Sequence, residues 1–524
     1  MIYTYSVQLD VDDTRAYTNG LAELQNVMVL DWWAGMNQPY QNISNPAGMR
    51  ITLANHDGRY SQDNSSAQYY SKLNPGRLIR VRMTYNGVTE TMTELRITDV
   101  QETFGEFVTV PTIMITCSDK IKELLEYEYA PVLLQDARTD EGLTELHKTA
   151  RVIYPNNRSY FFIDVDSIDG TKELYNLDDT DFEQGRTTIE FLGDHLGQGS
   201  QSSAQKLVRD LMKAEVFGLY FFQPRTGLYR FLNRLHAIQE TSAAIFRTDD
   251  KYITTAQPVR GRNPYGMGPL NIMTIDYAAR VQGAVGSVLY SSNAVPFYVQ
   301  PNSTKKIRGR FFDPNADNAR VGGIDVIPPQ PQVDIIANNQ EGGGGADRLA
   351  DLNISHSIKA SSIEFSINNP NTNRIWITTL QVRGTPLTLY SKETVEAKNV
   401  DSIYNYDAFE AHDSVILSDI DTIQSIADML VNTFGTPRTT IEKVNITVSP
   451  DIAATVLTLT MGSMITLKNV NETHDKEYLI MGELHRANVA QGKHEVGYIL
   501  RAKETTSLFM IDTSSIDGTD VIDI

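Results

Sequence analysis

Three histidines crowd a strand-rich stretch near the C-terminus: His474, His485 and His494. Imidazoles bind zinc, and adjacent strands can bring two together, but this trio lacks the ligand spacing of a zinc site. An acidic run from Asp179 through Asp181 and Glu183 to Glu190 has the length of a calcium loop. Such a loop needs glycine at its sixth position for the sharp turn. Here Gln184 stands there and Gly185 comes one residue late, so the run reads as a solvated acidic loop. The lone cysteine, Cys117, has no activating neighbour in sequence and reads as core filler. With 65 Asp and Glu, carboxylate pairs suited to glycoside hydrolysis must arise by chance and point nowhere. No glycine-rich phosphate loop, dinucleotide fingerprint, nucleophile elbow or His-Glu-x-x-His zinc helix occurs. Sequence therefore assigns no catalytic residue, no metal ligand and no cofactor.

The elements that would position such residues are mostly strands. Residues 77–85 alternate apolar and polar, and Asn86-Gly87 then supplies a two-residue hairpin turn. Residues 107–117 read as a strand that Pro111 confines to an edge in its first half. The C-terminal third reads as strands at 441–449, 454–460, 464–470, 477–488 and 494–502, the last two turning at Gln491-Gly492. Helices are few. Ser118 is expected to cap one with Ile121, Leu124 and Leu125, and Thr139 another with Leu143 and Leu146. Ser202 or Ser203 opens a third, with Leu207, Val208, Leu211 and Met212 on one face and Gly218 as its C-cap. Asp421 is expected to cap a fourth, over 421–434. Its Ile423, Ile426, Leu430 face would dock on the C-terminal sheet, and Gly435 and Pro437 end it. Residues 313–345 are Pro- and Gly-rich, and the run Gly342 to Gly345 reads as a mobile loop tip. Ser167 to Thr171 and Ser515 to Thr519 share five letters and read as Asp-Gly turns.

The whole chain has 524 residues and an apolar share of 41%, enough for several cores. Its formal net charge is −19, which repels phosphate backbones and argues against sequence-independent nucleic-acid binding. One cysteine excludes a disulfide scaffold. The first residues carry no basic signal region, and no apolar run is long enough to span a membrane. A reducing compartment is expected.

One segment is specific. Residues 49–83 contain Asn55-x-Asp57-Gly58-Arg59-Tyr60-Ser61, a Ser/Asn-rich connection, and Pro75-Gly76 leading to Ile79-Arg80-Val81. This resembles the first barrel of bacteriophage tail hub and minor tail proteins, of the baseplate hub-like, tail-tip kind. Later motifs fall in that family's order. The Thr93–Thr98 run sits where the family opens a strand with Phe and Gly, both missing here. Ser118-Asp119-Lys120 begins a helix. The 203–217 helix runs into a hairpin carrying Gly218, Phe221, Gly227, Phe231 and Arg234. Residues 374–389, with Gly384, resemble a strand pair. Residues 478–501, with His485, Gly492 and Leu500, resemble the closing hairpin.

The resemblance implies a β-dominated α+β fold, with two tube-like β-barrels and smaller α/β domains. The divisions expected are an N-terminal barrel over 1–117, an α/β domain over 118–255 and a β-rich domain over 256–373. A C-terminal hub domain over 374–505 and an acidic tail over 506–524 follow. It implies a homotrimeric, non-enzymatic ring that adapts a hexameric tail tube to the distal tip around a DNA exit channel, whose acidic wall would not hold passing DNA. Partners implied are the distal tail, tail tube and tape-measure proteins, and spike or receptor-binding proteins. No sequence-specific nucleic acid and no membrane span are implied. The place implied is the virion tail tip, assembled in the host bacterial cytoplasm. A receptor- or glycan-binding tip protein and a contractile injection hub are the alternatives.

Overall fold

The computed structural model describes residues 3–11, 21–103, 110–119, 121–126, 133–153, 180–193, 204–293, 295–313, 319–341, 344–389, 392–468 and 475–503. The fold is β-dominated with interspersed helices, an α+β arrangement. Its main element is a thirteen-stranded sheet drawn from both ends of the chain. At its centre Val27–Gly35 pairs with Asn45–Ala54 on one side and Asp475–Asn488 on the other. From there one arm runs through Thr112–Ser118, Val88–Thr103, Leu78–Tyr85 and Tyr3–Asp10 to Leu21–Glu23. The other runs through Lys493–Ala502 and Thr439–Thr447 to Ile253–Arg260. Among the described residues this path stays open at both ends. Leu9, Leu30, Ile51, Val81 and Ile115 from the early strands share one core with Val444, Ile465, Ile480 and Val496 from the late ones.

Local chemistry explains the elements that match expectation. Leu78–Tyr85 joins Val88–Thr103 through Asn86 and Gly87, both at positive φ, with Tyr85 facing Val88. Cys117 is buried in Thr112–Ser118, where burial pushes its thiol pKa up, so it fills space rather than reacts. Pro111 lies just outside that strand, which pairs on both sides and is no edge. The proline lacks an N–H, and it contributes its carbonyl to Asn55 N–H at 2.7 Å.

A second core gathers the helices Ile121–Glu126, Thr139–Ile153, Ala204–Glu215 and Ile420–Phe434. The capping expectations need correction. Asp119, not Ser118, accepts from Ile121 N–H at 3.2 Å, while Ser118 ends a strand and donates to the Ala47 carbonyl. Thr139 donates its hydroxyl to Glu215 instead of accepting from its own helix. Ser202 and Ser203 lie outside the described residues. Asp419, not Asp421, accepts from Thr422 N–H at 3.0 Å, so Ile420–Phe434 starts one residue earlier than expected. That helix covers the sheet of Glu393–Lys398, Ile272–Tyr277 and Glu410–Ser414, not the C-terminal sheet. It follows Glu410–Ser414 in the chain and packs back on that strand's own sheet, as consecutive elements tend to do. The segment read as a strand at 454–460 is the helix Ala453–Thr458, with Ala453, Val456 and Leu457 buried. In so short a run, apolar residues satisfy either period.

A third core lies in the middle of the chain. Residues 374–389, read as a strand pair, form one strand, Ile375–Leu389, paired with five others. Gly384 does not turn it: a Cβ there would meet Leu289 Cδ1 at 2.8 Å, so the glycine admits a close neighbour. The glycine run follows Ile335–Asn338, and Asn338 bridges Asp347 across it. Gly342 and Gly343 lie outside the described residues, as do the Asp-Gly turns at 167–171 and 515–519.

Candidate functional site: the motif-bearing turns

The Asn55 to Ser61 segment is a turn tied by its own side chains. Asn55 Oδ1 accepts from Tyr60 N–H at 3.0 Å. Its Nδ2 donates to Ser61 Oγ at 3.1 Å and to Glu102 Oε1 at 2.9 Å, and Ser61 Oγ donates to the same Glu102 oxygen at 2.7 Å. Gly58 sits at φ 69°, a left-handed position where a Cβ carries a steric cost. Asp57 accepts from Arg59 Nε at 2.6 Å, and this hydrogen bond lowers the Asp57 pKa. Arg59 Nη1 donates to Gln25 Oε1 at 2.6 Å. Tyr60 is fully buried, stacks on Tyr69 at 5.0 Å, and exchanges hydrogen bonds with the Gln25 backbone at 2.7 Å. Burial pushes its phenol up to about 12. Pro75-Gly76 closes the connection, with Gly76 N–H donating to the Ile97 carbonyl at 2.8 Å. The side chains of Asn55, Asp57, Arg59, Tyr60 and Ser61 are all bonded within or beside the turn, so they serve to position chain, while His56 is exposed on its outside.

The second cluster centres on Glu215 at the end of Ala204–Glu215. Its buried carboxylate accepts from Thr139 Oγ1 at 2.9 Å, from Thr187 N–H at 3.2 Å and from Arg186 N–H. Burial raises its pKa against the pull of Arg234 and these donors. Gly218 does not take the left-handed cap. Val216 (φ 43°) and Phe217 (φ 59°) do, and Arg501 holds them by donating to the Phe217 carbonyl at 3.0 Å and lying over its ring. What Gly218 supplies is room: a Cβ there would lie 2.6 Å from Glu215 Cγ. The hairpin Leu219–Gln223 to Leu228–Leu232 follows, turning at Gly227 and burying Phe221 and Phe231. Arg234, just beyond, donates to the Arg186 carbonyl at 3.0 Å.

The third cluster holds two of the three C-terminal histidines. His485 and His494 face each other across the closing hairpin, ring nitrogens 3.1 Å apart and both buried. Gly492 turns this hairpin and Leu500 is buried in its second strand. Trp32 stacks on His485 at 4.6 Å. Buried Glu483 pairs with Arg225 at 3.3 Å. Burial lowers both histidine pKa values and holds the rings neutral. His474 lies outside the described residues. Among the described residues no group of three or more His, Cys, Asp and Glu is placed to hold a metal. In the acidic run, Glu183 binds His236, and Asp181 pairs with Arg230 at 2.8 Å. Sequence reasoning missed His236 and Arg225, because their partners lie in distant segments of the chain and no spacing marks them.

No family model and no curated protein matches the chain. Among solved structures it is similar to a tail protein from Neisseria meningitidis MC58, at 8% identity and TM-score 0.45, over 97% of this chain and 99% of that one. It is also similar to the 43 kDa tail protein of prophage MuSo2 from Shewanella oneidensis, at 11% identity and TM-score 0.45, over 95% and 98%. Prophage tail protein gp18 from Listeria monocytogenes EGD-e matches at 9% identity and TM-score 0.40, over 96% of each chain.

Proposed function

We propose that the chain is a structural, non-enzymatic hub of a bacteriophage tail tip, acting as a homotrimer around the DNA exit channel. One observation carries this reading: Val27–Gly35 pairs with Asp475–Asn488, setting the first and last strand clusters side by side in one sheet. Two tube-like barrels per chain, completed by neighbouring copies, would give three chains the equivalent seats that a hexameric tail tube needs. Ring closure would also occupy the sheet edges Leu21–Glu23 and Ile253–Arg260, which otherwise invite aggregation. The ordered motifs fit the same role, since the side chains bonded in them brace turns. The partners would be distal tail, tube and tape-measure proteins above and spike or receptor-binding proteins below, in the virion.

Imaging of the assembled particle tests this: three copies at the tail axis are expected, and one or six would overturn it. In solution the charge of −19 per chain opposes association, so the trimer population should rise with ionic strength.

A receptor-binding role is the second reading. It is favoured by the ring pair Tyr298 and Trp376, 5.0 Å apart on the outer face, with the Arg374 guanidinium over Tyr298. On that reading Trp376→Ala leaves particles assembled and lowers adsorption to cells.

A further inference from the structure

The middle region carries a basic sheet face. Ser303–Arg310, Ser362–Asn369 and Asn353–Lys359 form a three-stranded antiparallel sheet. Ile363, Phe365 and Ile367 of its central strand are buried on the inner side. The strand period therefore sends Lys306, Arg308 and Arg310 to the outer side, all exposed. The register sets Lys359 level with Arg310, on the edge strand opposite. One carboxylate, Glu364, shares this face and lies 3.8 Å from Arg308. Four cations against one anion stand out in a chain of net charge −19.

The other outer positions are hydroxyls and amides. Ser366 and Ser355 lie level with Lys306, and Ser357 lies level with Glu364. None of the outward side chains of these strands is aromatic.

Alternate residues of a strand lie about 6.8 Å apart, so the three cations of Ser303–Arg310 form a straight ladder at that interval. An extended glycerol phosphodiester repeat spans a similar length, so successive phosphates can meet successive cations. The serines beside them can donate to phosphate oxygens or accept from polyol hydroxyls. A single-stranded nucleic acid has comparable charge, but its binding surfaces stack bases on aromatic rings, and this face has none.

We infer that this face binds a linear polyol phosphate, its backbone lying along Ser303–Arg310. The face would do so whatever the chain's place in a particle, so the result is independent of the tail-hub reading. The test uses the full-length chain and a labelled synthetic glycerol phosphate dodecamer, titrated by fluorescence anisotropy at several salt concentrations. A dodecamer of thymidylate serves as the base-bearing comparison. The expected result is saturable binding that weakens with salt and is at least tenfold tighter for the glycerol phosphate. Lys306→Ser, Arg308→Ser and Arg310→Ser together should cost more than tenfold and flatten the salt dependence by about 0.7 log unit per cation removed. These positions are exposed, so the variant should keep the parent melting temperature. Glu364→Gln, which removes the competing carboxylate, should tighten binding. Equal or tighter binding of thymidylate, an unchanged triple variant, or no binding at low salt would each overturn the inference.

Discussion

His236 is clamped between two acceptors: its Nδ1 lies 2.6 Å from Glu183 Oε1, and its Nε2 lies 2.9 Å from the Gly462 carbonyl. A carboxylate and a carbonyl can only accept, so both ring nitrogens must carry protons and the imidazole is a cation. Burial works against that charge, but Glu183 and the Gly462 carbonyl outweigh it and raise the His236 pKa. The cation ties the acidic run to the edge of the C-terminal strands.

Its contribution to stability has a definite pH dependence. The folded pKa is raised above the unfolded value near 6.5. The contribution is therefore complete below about pH 6.5 and fades as pH rises through the raised value. His236→Ala should lower stability by roughly 1.5–3 kcal/mol at pH 6, from its charged hydrogen bonds. The gap between variant and parent should narrow in alkaline buffer. Urea unfolding of both proteins across pH 6–9 checks this; a gap that stays constant would mean the ring is neutral.

The His485–His494 pair has the opposite sign. Its folded pKa values lie below the unfolded one, so its stabilising effect holds above about pH 6.5 and is lost as pH falls. Arg225→Ala would leave the Glu483 carboxylate buried beside it without its cation, at a cost of about 3–5 kcal/mol. The variant should melt earlier at pH 7. Arg225→Met with Glu483→Gln in the same chain should recover much of the loss.

Gly218→Ala should destabilise by about 1–3 kcal/mol, since the added methyl drives into Glu215 Cγ and displaces a carboxylate that four donors hold. Gly492→Ala meets open space, and its cost is the left-handed conformation alone, about 1–2 kcal/mol. Circular dichroism melts of the two variants should rank them in that order.

Ile426→Asp should cost more than about 3 kcal/mol, because it places an unpaired carboxylate in the core with Met273, Ile275 and Val395. Soluble yield and melting temperature would both drop. An unaffected variant would mean that the helix face is wet.

Sequence made visible what nearest neighbours determine. Asn86 and Gly87 need no partner to accept positive φ, and the apolar stripe of Ala204–Glu215 announces its own buried face. The capping carboxylates were one or two residues off, because several acidic residues and serines near each helix start qualify and only backbone geometry selects among them. The left-handed Val216 and Phe217 were illegible for a different reason. Neither residue favours that conformation, and what holds it is Arg501, which reaches the Phe217 carbonyl from the far end of the chain. The same holds at the histidine pair: adjacent strands brought His485 and His494 together as expected, but the Trp32 stack and the Arg225–Glu483 pair come from distant segments that share no periodicity. The acidic run reads in sequence as a solvated loop, yet Asp181 pairs with Arg230 and Glu183 with His236.

The seam between Val27–Gly35 and Asp475–Asn488 also sets a schedule for biosynthesis. Asp31 and its partner Arg486 are separated by 455 positions. At about 5–20 residues per second, the ribosome needs roughly half a minute to a minute and a half to deliver the second strand after the first. Throughout that interval Trp32 has no His485 to stack on, and the strand carrying it presents one bare backbone edge. A nascent chain in that condition is a client for chaperones, and a polypeptide ending before residue 475 would keep the edge bare for good. Ribosome-bound intermediates should therefore be sticky and protease-sensitive until the final hairpin emerges, then become resistant in a single late step.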